Sequence, residues 1–575
     1  MMPSEKRIQQ TLWLLMLVSF IIRALMAAFT ELGNDEVYYW TYAKFPDWSH
    51  FDHPPMVGWV IQLFTLNLHF DSEFFIRLAA IVFGTINNWL IFLVGKQIKD
   101  SLTGLYAAFL FTASFYCFVI SGTFIMPDTP QVLFWLLSLL LLSKALPDKN
   151  LTASSRYRLL GAGLTMGLAM LSKYHSVFLI IGAFLYILIF NRKWFRAKET
   201  YAAFILAILL FTPVILWNYH NQFISFTFHE SRVGPSESSV RLDYLFTEII
   251  GQVFYNNPVN FIIIVIAFLF LIKGKIFLER QYLYFLLLIS LPLSLVFLSF
   301  SLYSSTLPHW TGPAYLGFML IAAAFLRFAG ERRSSILLFP WSLRIALVLP
   351  LIIITGGITQ INYGWLPFQK LRSEDFSSQL FGWRQLGDKF ALVAKKYSDL
   401  RLMPEDAPII TFRWFPAANL DYYVATPLGH KLYALGTLTR IHKYYWIDKE
   451  RGNLKKGTSS YYIALSDDYQ YPGDLFGKIF DTIYPPDTIS IYRRNEIIRK
   501  AYIYRLIGLK KEINFDLITN FIEPSVEKIR QYEIQIMTNP GWMLQLKEKA
   551  RKQGRTVDDL LWQEAKWTAE REMFE

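Results

Sequence analysis

Between residues 12 and 360 the chain runs in apolar blocks of roughly 18 to 24 residues, each long enough to cross a bilayer as one helix. In lipid every backbone N–H and C=O must find a partner inside the segment, so blocks like these can hardly be anything but helices. Eleven can be marked, at 12–30, 77–97, 103–122, 128–146, 157–172, 174–191, 200–218, 258–273, 281–302, 308–328 and 337–360. Only 18% of the residues are charged, where a soluble domain carries about a quarter. The expected fold is a polytopic α-helical membrane protein of about eleven or more transmembrane helices with a C-terminal extracytoplasmic α/β domain. The pattern divides the chain into a membrane domain at 1–362, an α/β domain at 363–504 and a charged helical tail at 505–575.

Every second loop between blocks is basic, beginning with Lys6 and Arg7, then Lys96 and Lys99, and ending with Arg327, Arg332 and Arg333. Basic short loops stay in the cytoplasm. The N-terminus is therefore expected inside, and the loops 31–76 and 218–257 and all residues after Tyr363 outside, as in an inner-membrane protein with a periplasmic domain. The net charge of +12 is accounted for by these loops, which meet anionic lipid rather than nucleic acid. Met1 to Lys6 is too short and polar for a signal peptide, so the first block is expected to remain as a helix. The single cysteine, Cys117, allows no internal disulfide. In the outer loop, Val233 to Ser239 reads as mobile and Tyr244 to Phe254 as a surface helix. Beyond 363, Pro408–Phe412, Lys431–Leu435, Ser460–Leu465 and Thr488–Tyr492 read as strands. Ala417–Val424 and Gly473–Ile483 read as helices, as does Val557–Glu572 in the tail.

The polar residues of the membrane half gather at the expected outer ends of the blocks. Gly33-Asn34-Asp35-Glu36-Val37-Tyr38-Tyr39-Trp40 follows the first block, then Phe51-Asp52-His53-Pro54-Pro55-Met56. Met126-Pro127-Asp128-Thr129-Pro130 opens the fourth, Ser172-Lys173-Tyr174-His175 separates the fifth from the sixth, and Pro308-His309-Trp310 opens the tenth. Singly these have plain readings: a helix cap for Asp128, a snorkelling lysine for Lys173, an interfacial belt pair for His309-Trp310. Together, carboxylates, a lysine and histidines at one depth suit a reaction at a charged lipid headgroup. A cation can hold a phosphate and a carboxylate can take a proton from a hydroxyl. No nucleotide-binding glycine motif is present in the sequence, which leaves an activated lipid as the donor.

These motifs, in this order, resemble the polyprenyl-phosphate-sugar-dependent glycosyltransferases of the GT-C superfamily, over roughly residues 10–330. That superfamily includes protein mannosyltransferases and, in its bacterial branch, lipid A aminoarabinose and galacturonosyl transferases. The resemblance implies a transfer from a polyprenyl-phosphate-linked sugar to a lipid, glycan or protein acceptor. Asp35, Glu36 and Asp128 would be catalytic, with Asp35 the base. Lys173, His309 and Arg232 would bind the donor phosphate, and Tyr39, Asp52 and His53 the acceptor or substrate. The aminoarabinose branch has Glu-Lys-Pro-Pro where this chain has Asp52-His53-Pro54-Pro55, so a titratable histidine stands in place of a fixed cation. A divalent metal ion at Asp35, Asp128 or a histidine is left open, because single carboxylates on separate loops carry no ligand spacing. The alternatives are a transporter or flippase of lipid-linked saccharide, which would place polar or broken segments near mid-membrane. A plain anchor for the α/β domain would leave the outer motifs without a purpose.

Overall fold

The computed structural model describes residues 3–233, 240–332, 336–366, 376–515, 526–553 and 556–572. It divides into two compact units, Met1–Pro367 and Phe368–Glu575. In the first unit α1 (Glu5–Phe29) leads into two short helices, α2 (Asn34–Lys44) and α3 (Met56–Phe64). There follow α4 (Glu73–Ile98), α5 (Ser101–Ala113), α6 (Asp128–Ala145), α7 (Ala153–Ser172), α8 (Val177–Phe190) and α9 (Lys198–His220). Next come α10 (Ile224–Val233), α11 (Leu242–Tyr255), α12 (Pro258–Ile272), α13 (Arg280–Phe300), α14 (Gly312–Arg332) and α15 (Trp341–Tyr363). Ten of the eleven apolar blocks coincide with a helix in this series; the block 103–122 is broken, since α5 stops at Ala113 and a separate helical turn covers Tyr116–Ile120. Among the described residues, six helices are long and apolar enough to cross a membrane on their own. A bent pair, α11 and α12, meets at 106°, and α5 and α8 are shorter apolar helices. The surface helix expected at Tyr244–Phe254 is α11; Gly234–Ser239 lies outside the described residues.

Close packing follows from small residues at the crossings. A Cβ on Gly84 of α4 would stand 2.8 Å from the Gly122 Cα, and one on Gly95 would stand 2.6 Å from the Gly104 Cα, so only glycine admits these approaches. The interior is not wholly apolar. Arg23 of α1 is fully buried, its guanidinium 4.4 Å from the centre of the Phe118 ring, and Asn87 and Asn88 are buried on α4. The basic loops share one end of the bundle: Lys96 pairs with Glu5, Arg327 with Asp100, and Lys99 donates to the Phe277 carbonyl.

The second unit holds α16 (Trp383–Asp399), β1 (Ile409–Thr411), α17 (Trp414–Leu420), β2 (Leu432–Ala434), α18 (Leu438–Ile441), α19 (Tyr444–Arg451) and β3 (Ser460–Leu465). It continues with α20 (Pro472–Phe476), β4 (Phe480–Arg493), β5 (Glu496–Leu509) and three tail helices, α21 (Val526–Thr538), α22 (Pro540–Gln553) and α23 (Val557–Glu572). The sheet order is β2-β1-β3-β5-β4, with β1 parallel to β2 and β3, and β5 antiparallel to β3 and β4. Two expectations change. The helix read over Gly473–Ile483 stops at Phe476, and Phe480 already begins β4. The boundary at 504 cuts β5, which runs to Leu509 and pairs Leu506 with both Ser460 and Ile483. The tail proper starts after Phe515, and its helices bury Ile529, Ile536, Leu546 and Leu560 against one another.

Candidate active site

The site lies at the end of the bundle where α1 finishes and α2, α4 and α6 begin. Gly33 caps α2, and the Glu36 carboxylate reaches back to its backbone N–H at 2.8 Å, the return half of a capping box. Neighbouring positions on a helix face different ways. Glu36 turns inward and is buried, and Asp35 turns outward and stays accessible.

Glu36 is fully engaged. Arg77, near the start of α4, grips it bidentately, with Nη2–Oε2 at 2.6 Å and Nε–Oε1 at 2.7 Å. The Ile125 N–H adds a bond of 3.1 Å. The other donors of Arg77 reach the carbonyls of Thr30 and Glu31, each at 2.8 Å. One buried pair thus ties the end of α1, the cap of α2, the first turn of α4 and the loop before α6. Glu36, expected to be catalytic, has both its oxygens committed to these partners in this geometry.

Asp35 is the opposite case. It accepts no hydrogen bond from the described residues and stays accessible although protein surrounds it. Those surroundings, then the charges of Asp52 and Glu36, push its carboxyl up to about 6, against the opposing pull of Arg232 and Lys173. At neutral pH it is a carboxylate that binds a proton more readily than an ordinary aspartate.

Asp128 and Lys173 form a second closed pair, Nζ–Oδ2 2.8 Å, in which both side chains are buried. Tyr116 donates to the other Asp128 oxygen at 3.0 Å. The cap read for Asp128 is absent: the start of α6 carries no side-chain cap bond. The lysine does not snorkel, and its charge is spent on Asp128 rather than standing free for a phosphate. His309 is half-buried in the turn Pro308–Thr311, its ring 6.2 Å from that of Tyr255. Arg232, at the end of α10, is the accessible cation. Its guanidinium lies over Trp310 at 5.3 Å and Phe228 at 5.6 Å, and it forms no salt bridge with the described residues.

Asp52 is fixed by the hydroxyls of Tyr38, at 3.0 Å, and Tyr42, both from α2. The His53 ring lies 5.8 Å from the Tyr39 ring and 6.0 Å from the His229 ring. His229 Nε2 contacts the Asp52 carbonyl at 2.6 Å. Burial pushes the His53 imidazole down to about 3, so at neutral pH it is uncharged and does not replace a fixed cation. Its Nδ1 has no partner among the described residues. Among those residues no group of three His, Cys, Asp or Glu side chains is placed to hold a metal ion.

Sequence reasoning passed over Arg77, Tyr42, Tyr116 and His229, and gave no role to Tyr38, which stands in the first outer motif. Arg77 left one signal, since a lone charge just inside an apolar block is costly unless it has a buried partner. The tyrosines left none.

Residues 52–217 match the sequence model of a family described as dolichyl-phosphate-mannose-protein mannosyltransferase. A curated relative, the lipid A galacturonosyltransferase RgtD of Rhizobium johnstonii, is 22% identical over 325 residues. The matched stretch is 55% of this chain, and the chain spans only 63% of that relative's length. Among solved structures, ArnT from Cupriavidus metallidurans bound to undecaprenyl phosphate superposes with a TM-score of 0.53 at 13% identity, covering 85% of this chain and 97% of the other. Its apo state gives the same TM-score at 12% identity. At such identities the likeness lies in the fold.

Proposed function

We propose that this chain, a member of the GT-C superfamily, moves a sugar from a polyprenyl monophosphate to a hydroxyl acceptor, with inversion at the anomeric carbon. The observation that carries the reading is the state of Asp35. It is an accessible carboxylate, free of hydrogen bonds from the described residues, raised in pKa, and within the electrostatic reach of an accessible arginine, Arg232. A general base works best with a pKa close to the operating pH.

The acceptor oxygen attacks the anomeric carbon from the face opposite the phosphate. Its proton passes to Asp35 as the new carbon–oxygen bond forms and the bond from the sugar to the phosphate oxygen breaks. The departing phosphate gains charge and needs a cation that is not already neutralised. Arg232 meets that need better than Lys173, with His309 beside it as a hydrogen-bond donor. Tyr39, Asp52 and the neutral His53 form the acceptor side, where Asp52 is held too firmly by two tyrosines to serve as the base. The proposed setting is the outer face of the cytoplasmic membrane, following the alternation of basic loops.

A second reading, a flippase of lipid-linked saccharide, draws on the buried Arg23, Asn87 and Asn88 inside the bundle. One experiment separates the two. Purified protein in liposomes is given radiolabelled polyprenyl-phosphate sugars and an envelope extract, with wild type beside Asp35→Asn. The proposal expects label in the acceptor fraction for the wild type and its loss in the variant. Label that changes leaflet without leaving its carrier would support the second reading and overturn the first.

A further inference from the structure

The second unit contains a cavity of about 420 Å³ that the proposed transfer does not use. It lies at the carboxyl ends of the parallel strands β1 and β2, lined by Phe412 just after β1 and by Leu435 to Thr437 just after β2. Open α/β sheets take ligands at this edge, where the loops leaving parallel strands diverge. The volume is in the range of small-molecule sites.

Its walls have three kinds of surface. The rings of Phe412, Tyr445, Phe515 and Trp567 form an aromatic lining. Asp448 and Thr437 are buried, and Asp448 Oδ1 and Thr437 Oγ1 have no partner among the described residues. The other Asp448 oxygen accepts the Ala434 N–H at 3.0 Å, which fixes the carboxyl in place. Leaving two such atoms unpaired in the native state is costly, so a ligand group that bonds them gains correspondingly. Arg440, Lys478, Lys510 and Lys511 also line the cavity, against the single exposed acid Glu512.

We infer that this cavity binds a phosphorylated saccharide, with the sugar ring against the aromatic faces, its hydroxyls on Thr437 and Asp448, and its phosphate among the lysines. A purely apolar ligand would leave the buried oxygens unpaired. Inorganic phosphate would not use the rings, and a neutral sugar would not use the cations. The inference is independent of the chemistry at Asp35.

Equilibrium dialysis of radiolabelled glucosamine 1-phosphate against the full-length protein in detergent tests it. The expected result is saturable binding, at least tenfold weaker in Thr437→Val and in the double variant Lys510→Glu/Lys511→Glu. Lys510 and Lys511 are exposed, so the double variant keeps the fold. Binding should be unchanged in Asp35→Asn and Arg232→Ala, which separates this cavity from the membrane site. Free N-acetylglucosamine, a neutral sugar, and inorganic phosphate should each compete at least tenfold less well than the phosphorylated sugar. Absence of saturable binding, binding indifferent to rim reversal, or stronger competition by adenosine 5′-monophosphate would each overturn the inference.

Discussion

Asp35 and Glu36 are neighbours on one helical turn, yet they belong to two different kinds of region. Around Glu36 every charge is closed: Arg77 saturates it and in turn holds two backbone carbonyls. Around Asp35 the charges are left open, with a carboxylate and Arg232 both accessible and unpaired among the described residues. Closed pairs hold geometry, and open charges are available to substrates. Asp128–Lys173 repeats the closed pattern about the start of α6. The difference separates the paired charges of one polar cluster from the open ones, something residue type alone does not reveal.

The comparison can be broken first at Arg77. Arg77→Ala strands a buried carboxylate, and the expected cost is about 3–5 kcal/mol of stability, read as a large fall in thermal midpoint or loss of folded protein. A small change would mean that the Glu36 pair is not structural. Lys173→Met strands Asp128 in the same way, with an expected loss of about 3 kcal/mol. Most of it should return in the double variant Asp128→Asn/Lys173→Met. Without such recovery, Lys173 acts on something other than Asp128.

Arg232→Ala, in the open region, should leave stability unchanged and slow transfer by roughly 10- to 100-fold, as expected for one charge-assisted hydrogen bond of about 1.5–3 kcal/mol. Arg232→Lys should recover only part of the rate. The smallest effect concerns pH. With Asp35 at about 6, transfer should fall as pH drops through 6, about tenfold per unit below it. The stability sign runs the other way. Between the ordinary aspartate value and about 6 the native state binds more protons than the unfolded chain, so ionising Asp35 costs stability as pH rises. Asp35→Asn removes that cost, and its thermal midpoint at neutral pH should equal or slightly exceed that of wild type.

Much of the fold was legible because its signals are local. All the apolar blocks but 103–122, which breaks after Ala113, form single helices, since a run of that length and composition has no other way to satisfy its backbone in lipid. The misreadings lie where partners are distant. Arg505-Leu506-Ile507-Gly508-Leu509 has no clear period of its own, and pairing with β3 and β4 makes it a strand. The site divides along the same line. The motifs name loops that come together, since Asp35, Asp52, Asp128, Lys173 and His309 gather at one end of the bundle. Which of them is free depends on Arg77, 41 residues from Glu36, and on Lys173, 45 residues from Asp128. Arg232 gains its place only when α10 brings it over Trp310.

The most direct test measures transfer rate and thermal midpoint together for Asp35→Asn and Glu36→Gln. The account predicts a loss of about 10²- to 10⁴-fold in rate for Asp35→Asn at an unchanged or higher midpoint, the range expected for removal of a general base. For Glu36→Gln it predicts a lowered midpoint, with transfer by the remaining folded protein largely kept. A Glu36→Gln protein that is fully stable but inactive, beside an active Asp35→Asn, would contradict it.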